Sequence, residues 1–240
     1  MHTSLVIGGT KGIGLEIANT FKKRGDRTIV LSRNKNSWEG EFIQADLCDL
    51  TSLEKSVQFI KNNNLNFSYI VFSQKNRVKP DDLETEIQIS LRSTQYFIEK
   101  LIPDNMEDVG SVVFLGSPAR QYVIREQPVE YHIGKAALEQ LAKYYAVCFG
   151  KYGITFNSIL PGTILKETNR EFYKANPATT DLLKSITPLK KVGDSQDIAN
   201  AVSFFCSEKA SFITGQAILV DGGRSIEGHE SLVRRLIGAS

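Results

Sequence analysis

The sequence predicts a doubly wound α/β sandwich of three layers, with a seven-stranded parallel sheet between two sets of helices. Three observations predict it. Seven short apolar, β-prone runs alternate with longer stretches of helical periodicity along the whole chain, and strands joined through helices pair in parallel. The first run opens into a glycine-rich corner that leads at once into a helix, a junction that turns backbone N–H groups toward a ligand. No linker or low-complexity stretch interrupts the alternation, so residues 1–240 read as one domain, with 225–240 a C-terminal extension.

Each element has its own warrant. Leu5-Val6-Ile7 is a buried strand. Ile13, Ile17 and Phe21 then recur every fourth residue until Gly25 stops the helix. Thr28 to Leu31 is the second strand and Phe42-Ile43-Gln44 the third. Thr51 is the expected cap of a helix whose apolar stripe is Leu53, Val57 and Ile60. Tyr69 to Phe72 is strongly β-prone. Residues 83–101 are helical and stop before Pro103, Ser111 to Leu115 is a strand, 129–149 a long helix and Ile154 to Leu160 a strand. Asp194 caps a helix carrying Ile198, Ala201, Val202 and Phe205, and Ala217 to Val220 is the last strand. Between Thr163 and Pro188 the chain is polar and shows no clear strand, which marks a candidate substrate lid.

Composition excludes several classes. The 29 Lys and Arg against 27 Asp and Glu leave a net charge of +2, too balanced for a dedicated nucleic-acid binder. With 41% hydrophobic and 23% charged residues the chain is neither disordered nor fibrous. Its 3 cysteines are far apart and its 3 histidines follow no ligand spacing, so no disulfide framework and no metal site is expected. The first apolar run is too short for a signal peptide, and none is long enough to span a membrane. The expectation is a cytoplasmic protein without membrane or nucleic-acid partners.

Gly8-Gly9-Thr10-Lys11-Gly12-Ile13-Gly14 fills the corner between the first strand and the first helix. Glycines there let the backbone turn tightly and approach a pyrophosphate, while the helix N-terminus adds free N–H groups. The pattern predicts a dinucleotide site. The second strand ends Leu31-Ser32-Arg33, where an NAD-preferring chain would carry an acidic residue for the ribose hydroxyl. A guanidinium suits a 2′-phosphate instead, and Lys11 adds a second cation, so NADP(H) is the expected cofactor.

Tyr131 and Lys135 stand four apart at the start of the long helix and so share one face. Ser117 lies at the end of a strand, fourteen residues earlier. A second Tyr-x-x-x-Lys, Tyr96 and Lys100, lies inside a helix without such a serine and reads as packing. An ammonium beside Tyr131 is expected to lower its pKa toward neutrality, which makes the tyrosine a general acid/base for a carbonyl/alcohol pair. The Ser117 hydroxyl is placed to bond the substrate oxygen.

With Asn157-Ser158-Ile159-Leu160-Pro161-Gly162, Pro188 to Gly193, Ile213-Thr214-Gly215-Gln216 and Val220-Asp221-Gly222-Gly223, these motifs cover residues 4–224. The chain thereby resembles the short-chain dehydrogenase/reductase family, in particular its 3-oxoacyl-carrier-protein reductase-like members. The resemblance implies a Rossmann-like fold and an oxidoreductase that moves hydride between NADP(H) and a small ketone or secondary alcohol. It implies cofactor contacts from Gly8, Thr10, Lys11, Gly12, Ile13 and Gly14, and from Ser32 and Arg33. It places Asp46 and Leu47 at the adenine, Ser73 and Gln74 at a ribose, and Tyr131 and Lys135 at the nicotinamide ribose. Pro161, Gly162 and Ile164 fall beside the nicotinamide. It also implies a homotetramer or homodimer.

The chain departs from the family in three places. Ile7 stands before the first glycine, where a Thr is usual. Phe72-Ser73-Gln74-Lys75 stands where Asn-Asn-Ala-Gly is usual, and Ser90 stands where a helical Asn completes the proton relay, so Ser90 is counted with the catalytic set. Lys75, Arg77, Lys79, Arg120, Arg125 and Lys166 surround the expected mouth and could draw an acidic substrate, though Glu126, Glu130 and Glu167 partly cancel them and a solvated rim is the competing reading. The substrate expected is a 3-oxoacyl thioester or a polar keto-sugar or secondary-metabolite intermediate. The rival reading is a non-catalytic NADP(H)-binding sensor or interaction protein.

Overall fold

The structure, a computed structural model, describes residues 1–102 and 104–238, and of 107–109 the backbone alone. Its sheet is built from β1 (Thr3–Ile7), β2 (Arg27–Ser32), β3 (Glu41–Gln44), β4 (Phe67–Phe72), β5 (Met106–Leu115), β6 (Ile154–Pro161) and β9 (Ala217–Val220). The seven strands run parallel in the order β3-β2-β1-β4-β5-β6-β9. The chain winds outward from β1 to β3, returns to the other side of β1 with β4, and winds outward again. The order therefore reverses between β1 and β4, and a crevice opens above their carboxyl ends, the usual ligand position of such sheets.

Side-chain alternation on the strands divides the core in two. Leu5 and Ile7 of β1 face one layer with Ile70, Phe72, Phe114 and Phe156. Val6 faces the other with Val30, Val71 and Val113, against α1 (Gly12–Lys23) and α8 (Ser195–Phe205). Phe72, Phe114 and Phe156 stack across β4, β5 and β6 at centroid distances of 5.3 and 6.3 Å, each worth roughly 2 kcal/mol or more of buried apolar area. Arg24, just past α1, joins the two helices: it pairs with Asp26 at 2.7 Å and donates to the Ser203 and Cys206 carbonyls of α8.

Several sequence expectations need correction. Helix α2 (Leu50–Asn62) is capped by Asp49, whose carboxylate accepts from Thr51 N–H at 2.9 Å, so Thr51 is already inside the first turn. The stretch 83–101 is α3 (Leu83–Ile87) and α4 (Ser93–Leu101) joined by a π-helical turn, Gln88–Arg92. Pro103, its expected stop, lies outside the described residues. Strand β5 begins at Met106 rather than Ser111, because pairing with Phe67 of β4 extends it where side-chain propensity does not. The long helix α5 (Val129–Phe149) falls where its periodicity places it. The segment Thr163–Pro188, expected to show no clear strand, does contain one. It holds β7 (Ile164–Leu165), paired with β8 (Gly193–Asp194), followed by α6 (Glu167–Ala175) and α7 (Pro177–Ile186).

Candidate active site

The glycine corner is packed from below and open above. Gly8 has φ +80°, and a β-carbon there would collide with the Gln74 backbone. One on Gly14 would sit on the Gly8 carbonyl and Ser73 Oγ. A β-carbon on Gly12, at φ +56°, meets only the Lys166 side chain, at 3.9 Å. The loop is thus pressed against the end of β4, while its outer side leaves room for a diphosphate at the α1 N-terminus.

This corner forms the floor of a cleft of about 870 Å³ over the carboxyl ends of the strands. Seventeen residues were expected to serve the cofactor, and all but Gly12 line the cleft. At the far end Arg33 stands beside Ser32 and Asn36. Thr10 is tied down there, donating to Ser32 Oγ at 3.3 Å and accepting from Asn36 Nδ2 at 2.9 Å. Asn36, at φ +47°, closes the turn that carries Arg33. Asp46 accepts from Cys48 N–H at 3.0 Å and faces the same pocket with Leu47.

Ser117, Tyr131 and Lys135 meet at the other end. Ser117 caps a short 3-10 turn, its Oγ accepting from Ala119 N–H at 3.2 Å, and its hydroxyl is near enough to the Tyr131 side chain to act on that phenol's pKa. Lys135 is buried; its Nζ donates to the Leu115 carbonyl at 2.8 Å and lies 5.6 Å from the Tyr131 ring centroid. Burial lowers the Lys135 pKa to about 8, Glu86 opposing and Lys75 reinforcing the fall. Tyr131 is not shifted downward as expected. Burial raises its pKa, the Ser117 hydroxyl pulls the other way, and the Glu86 charge adds to the rise. The Lys135 ammonium points at a carbonyl, so desolvation wins over its field, and the phenol is held in its protonated form.

Ser90 does not reach the cleft. It is buried on the π turn, and its hydroxyl donates to Glu86 Oε1 at 2.5 Å. Gln74 borders the cleft, but its amide nitrogen donates to Thr94 Oγ1 at 2.7 Å, on α4. Lys75 stands in the site: its Nζ donates to Gln127 Oε1 at 3.1 Å and lies 4.8 Å from the Tyr131 ring centroid. Of the six cations expected at the mouth, Lys75, Arg77 and Lys166 line it. Mutual repulsion adds to burial in lowering the pKa of Lys75, which feels Lys166 and Arg77, and of Lys166, which feels Arg77. Arg120 is drawn back into an ion pair with Glu139 at 2.6 Å, and Lys79 and Arg125 lie outside the lining.

Three parts of this wall are not evident from the sequence. His132 pins the loop over the site, its Nε2 accepting from Ile124 N–H and its Nδ1 bonding the Pro128 carbonyl, both at 2.9 Å. Its place one residue after Tyr131 gave no sign of that role. The C-terminal extension lines the cleft of its own chain through Ser225, Glu227, His229 and Leu232. Its helix α9 (His229–Leu236) is bound to α7 by Arg235, which donates to the Ser185 carbonyl and pairs with Glu227, both at 2.6 Å. Glu86 is the third, a carboxylate buried among helices.

The residues present fit a nicotinamide dinucleotide. The open glycine corner suits its diphosphate, Arg33 one ribose, and Tyr131 with Lys135 the other. A family model described as enoyl-(acyl carrier protein) reductase matches residues 8–225. The chain is 30% identical over 253 aligned residues to a tropinone reductase homolog of Arabidopsis thaliana, covering 95% of each sequence. It is 29% identical over 240 residues to an uncharacterized oxidoreductase of Schizosaccharomyces pombe, covering 91% of this chain and 89% of the other. A solved short chain dehydrogenase family protein from Francisella tularensis aligns with a TM-score of 0.79 at 26% identity, over 95% of this chain and 100% of that one. The fold is also that of an aldohexose dehydrogenase from Thermoplasma acidophilum, with a TM-score of 0.81, 23% identity and 95% of each chain covered.

Proposed function

Because the chain belongs to the short-chain dehydrogenase/reductase family of oxidoreductases, whose members bind a nicotinamide cofactor, we propose that it is an NADP(H)-dependent ketone reductase with Tyr131 as its general acid. The observation that carries the reading is the meeting of Ser117, Tyr131 and Lys135 at one end of the cleft whose floor is the glycine corner.

Bound there, the reduced nicotinamide supplies the hydride. Gly8, Gly12 and Gly14 admit the diphosphate, Arg33 pairs with the 2′-phosphate, and Lys135 holds the ribose hydroxyls. Ser117 donates a hydrogen bond to the substrate carbonyl oxygen and steadies the charge that grows on it. Tyr131 gives its proton to that oxygen, and the nearby Lys135 ammonium stabilises the phenolate left behind. His132 holds the 122–128 loop across the site and so helps exclude water.

The substrate we propose carries an anionic or strongly polar group, met by Lys75, Arg77 and Lys166, none of which has a carboxylate partner among the described residues. A 3-oxoacyl thioester on a phosphorylated carrier and an acidic keto-sugar both meet that description, and comparing turnover of the two separates them. For assembly we propose a homodimer or homotetramer, supported by Ile133, Tyr144 and Val147 exposed on α5.

The test of the cofactor is a fluorescence titration with NADPH and NADH beside Arg33→Ala. Losing a charge-assisted contact to the 2′-phosphate costs about 1.5–3 kcal/mol. NADPH affinity should fall by roughly 10–100-fold, with NADH affinity unchanged. Equal loss for both cofactors would refute the assignment of Arg33.

A further inference from the structure

Among the described residues Glu86 is a carboxylate packed against the catalytic helix with neither an ion-pair partner nor a task in the proposed reaction, and it is only 2% exposed. Taking an ionised carboxyl out of water is expensive unless partners hold it. Its Oε1 accepts from Ser90 Oγ at 2.5 Å. Its side chain presses so closely on Gly134 that a β-carbon there would strike the carboxylate, which sets it against the residue beside Lys135. Gly134 therefore works as a notch in α5 that admits Glu86.

We propose that Glu86 is the counter-ion of Lys135, a positioning residue held by Ser90 and the Gly134 notch that keeps the buried ammonium charged. The inference rests on the proposed roles of Tyr131 and Lys135. The two groups form no direct ion pair among the described residues, since the ammonium bonds the Leu115 carbonyl and the carboxylate bonds Ser90. Glu86 acts across the gap between the helices, where low polarity carries a charge further than water does.

Of the carboxylates around the site, Asp46, Glu126, Asp221 and Glu227 line the cleft but do not act on the Lys135 titration, whereas Glu86 does. On α5, Glu139 is spent on Arg120 and Lys143 at 2.6 and 2.8 Å. From the segment after β4 come Lys75 and Arg77, and from the segment 163–188 Lys166, all cations. Lys75 adds to the fall in Lys135 pKa, and Glu86 is the group that opposes it. Ser90 thus takes part in the site without touching substrate, by orienting a carboxylate.

The test is the titration of the Lys135 side chain in the unliganded protein, followed by lysine Cε chemical shift and assigned by the resonance that Lys135→Met removes. Glu86→Gln keeps shape and drops charge, and should lower the Lys135 pKa by about one unit or more, the scale of one charge removed beyond ion-pair distance at an effective dielectric near 20. Glu86→Met, of similar volume, should lower it likewise, so either variant that folds decides. Ser90→Ala, which keeps the charge, should move it much less. A Lys135 titration unchanged in the folded Glu86 variant overturns the inference. That result is independent of ketone turnover, which is read separately with Tyr131→Phe, so the two readings fail distinguishably.

Discussion

Lys135→Met should make the unliganded protein more stable at neutral pH while removing its activity. The magnitude follows from the depressed pKa. A lysine ordinarily near 10.5 that burial lowers to about 8 keeps its charge in the folded state against about 3 kcal/mol. Below pH 8 the folded and unfolded chains both carry the proton, and this penalty is fully present. From pH 8 to 10.5 the folded chain sheds it first, so wild-type stability gains with rising pH and the penalty is gone above 10.5. Methionine removes the charge at every pH, but leaves the Leu115 carbonyl without its donor, a loss of about 1 kcal/mol. The variant should therefore be more stable by about 2 kcal/mol at pH 7, roughly 5 °C in melting temperature for a chain of this size. The advantage should shrink through pH 9 and become a small deficit near pH 10.5. Urea unfolding of both proteins without cofactor, at pH 7, 9 and 10.5, measures the difference, in which other titrating groups cancel. A variant less stable at pH 7, or an advantage that does not decline with pH, would refute the reasoning. So would retained ketone reduction.

Other outcomes follow from the same geometry. Gly14→Ala places a methyl on the Gly8 carbonyl and Ser73 Oγ, so it should cost about 1–3 kcal/mol in stability and weaken NADPH binding at least tenfold, read by melting and fluorescence titration. Arg24→Ala strips the buried Asp26 of its cation and frees the end of α8. It should lower stability by about 3 kcal/mol, or roughly 10 °C, with NADPH affinity unaltered, because neither residue lines the cleft. Ser117→Ala should reduce kcat by about 100–1000-fold with little change in cofactor affinity, measured by steady-state kinetics beside the binding titration.

What could be read from the sequence was what lies close along the chain. The glycine corner, the Tyr131–Lys135 pair and the end of β2 at Arg33 are each set by a few neighbouring residues, and the structure brings them to one cleft. The strands were found by apolar runs that stay apolar because both sheet faces are covered. The remainder depended on distant partners. Glu86 sits in a polar stretch that reads as a solvated helix face, and only the missing side chain of Gly134, 48 positions on, gives it room to be buried. Tyr131 was assigned a lowered pKa from its spacing to Lys135, yet the sign turned on burial and on where the ammonium points. The first half of β5 is made by its partner strand rather than by its own composition. The segment 163–188 was legible as a long polar stretch, but its two helices were not.

The most direct test of the account is transfer of deuterium from 4-deuterated NADPH to an acidic ketone, in single turnover, by the wild type and by Tyr131→Phe. The account predicts a deuterated secondary alcohol from the wild type and a rate lower by about 100-fold or more in the variant, with NADPH affinity kept within a few-fold. Tight NADPH binding with no transfer to any ketone tried, or a variant as fast as the wild type, would contradict it, the first result pointing to a cofactor sensor and the second to another proton donor.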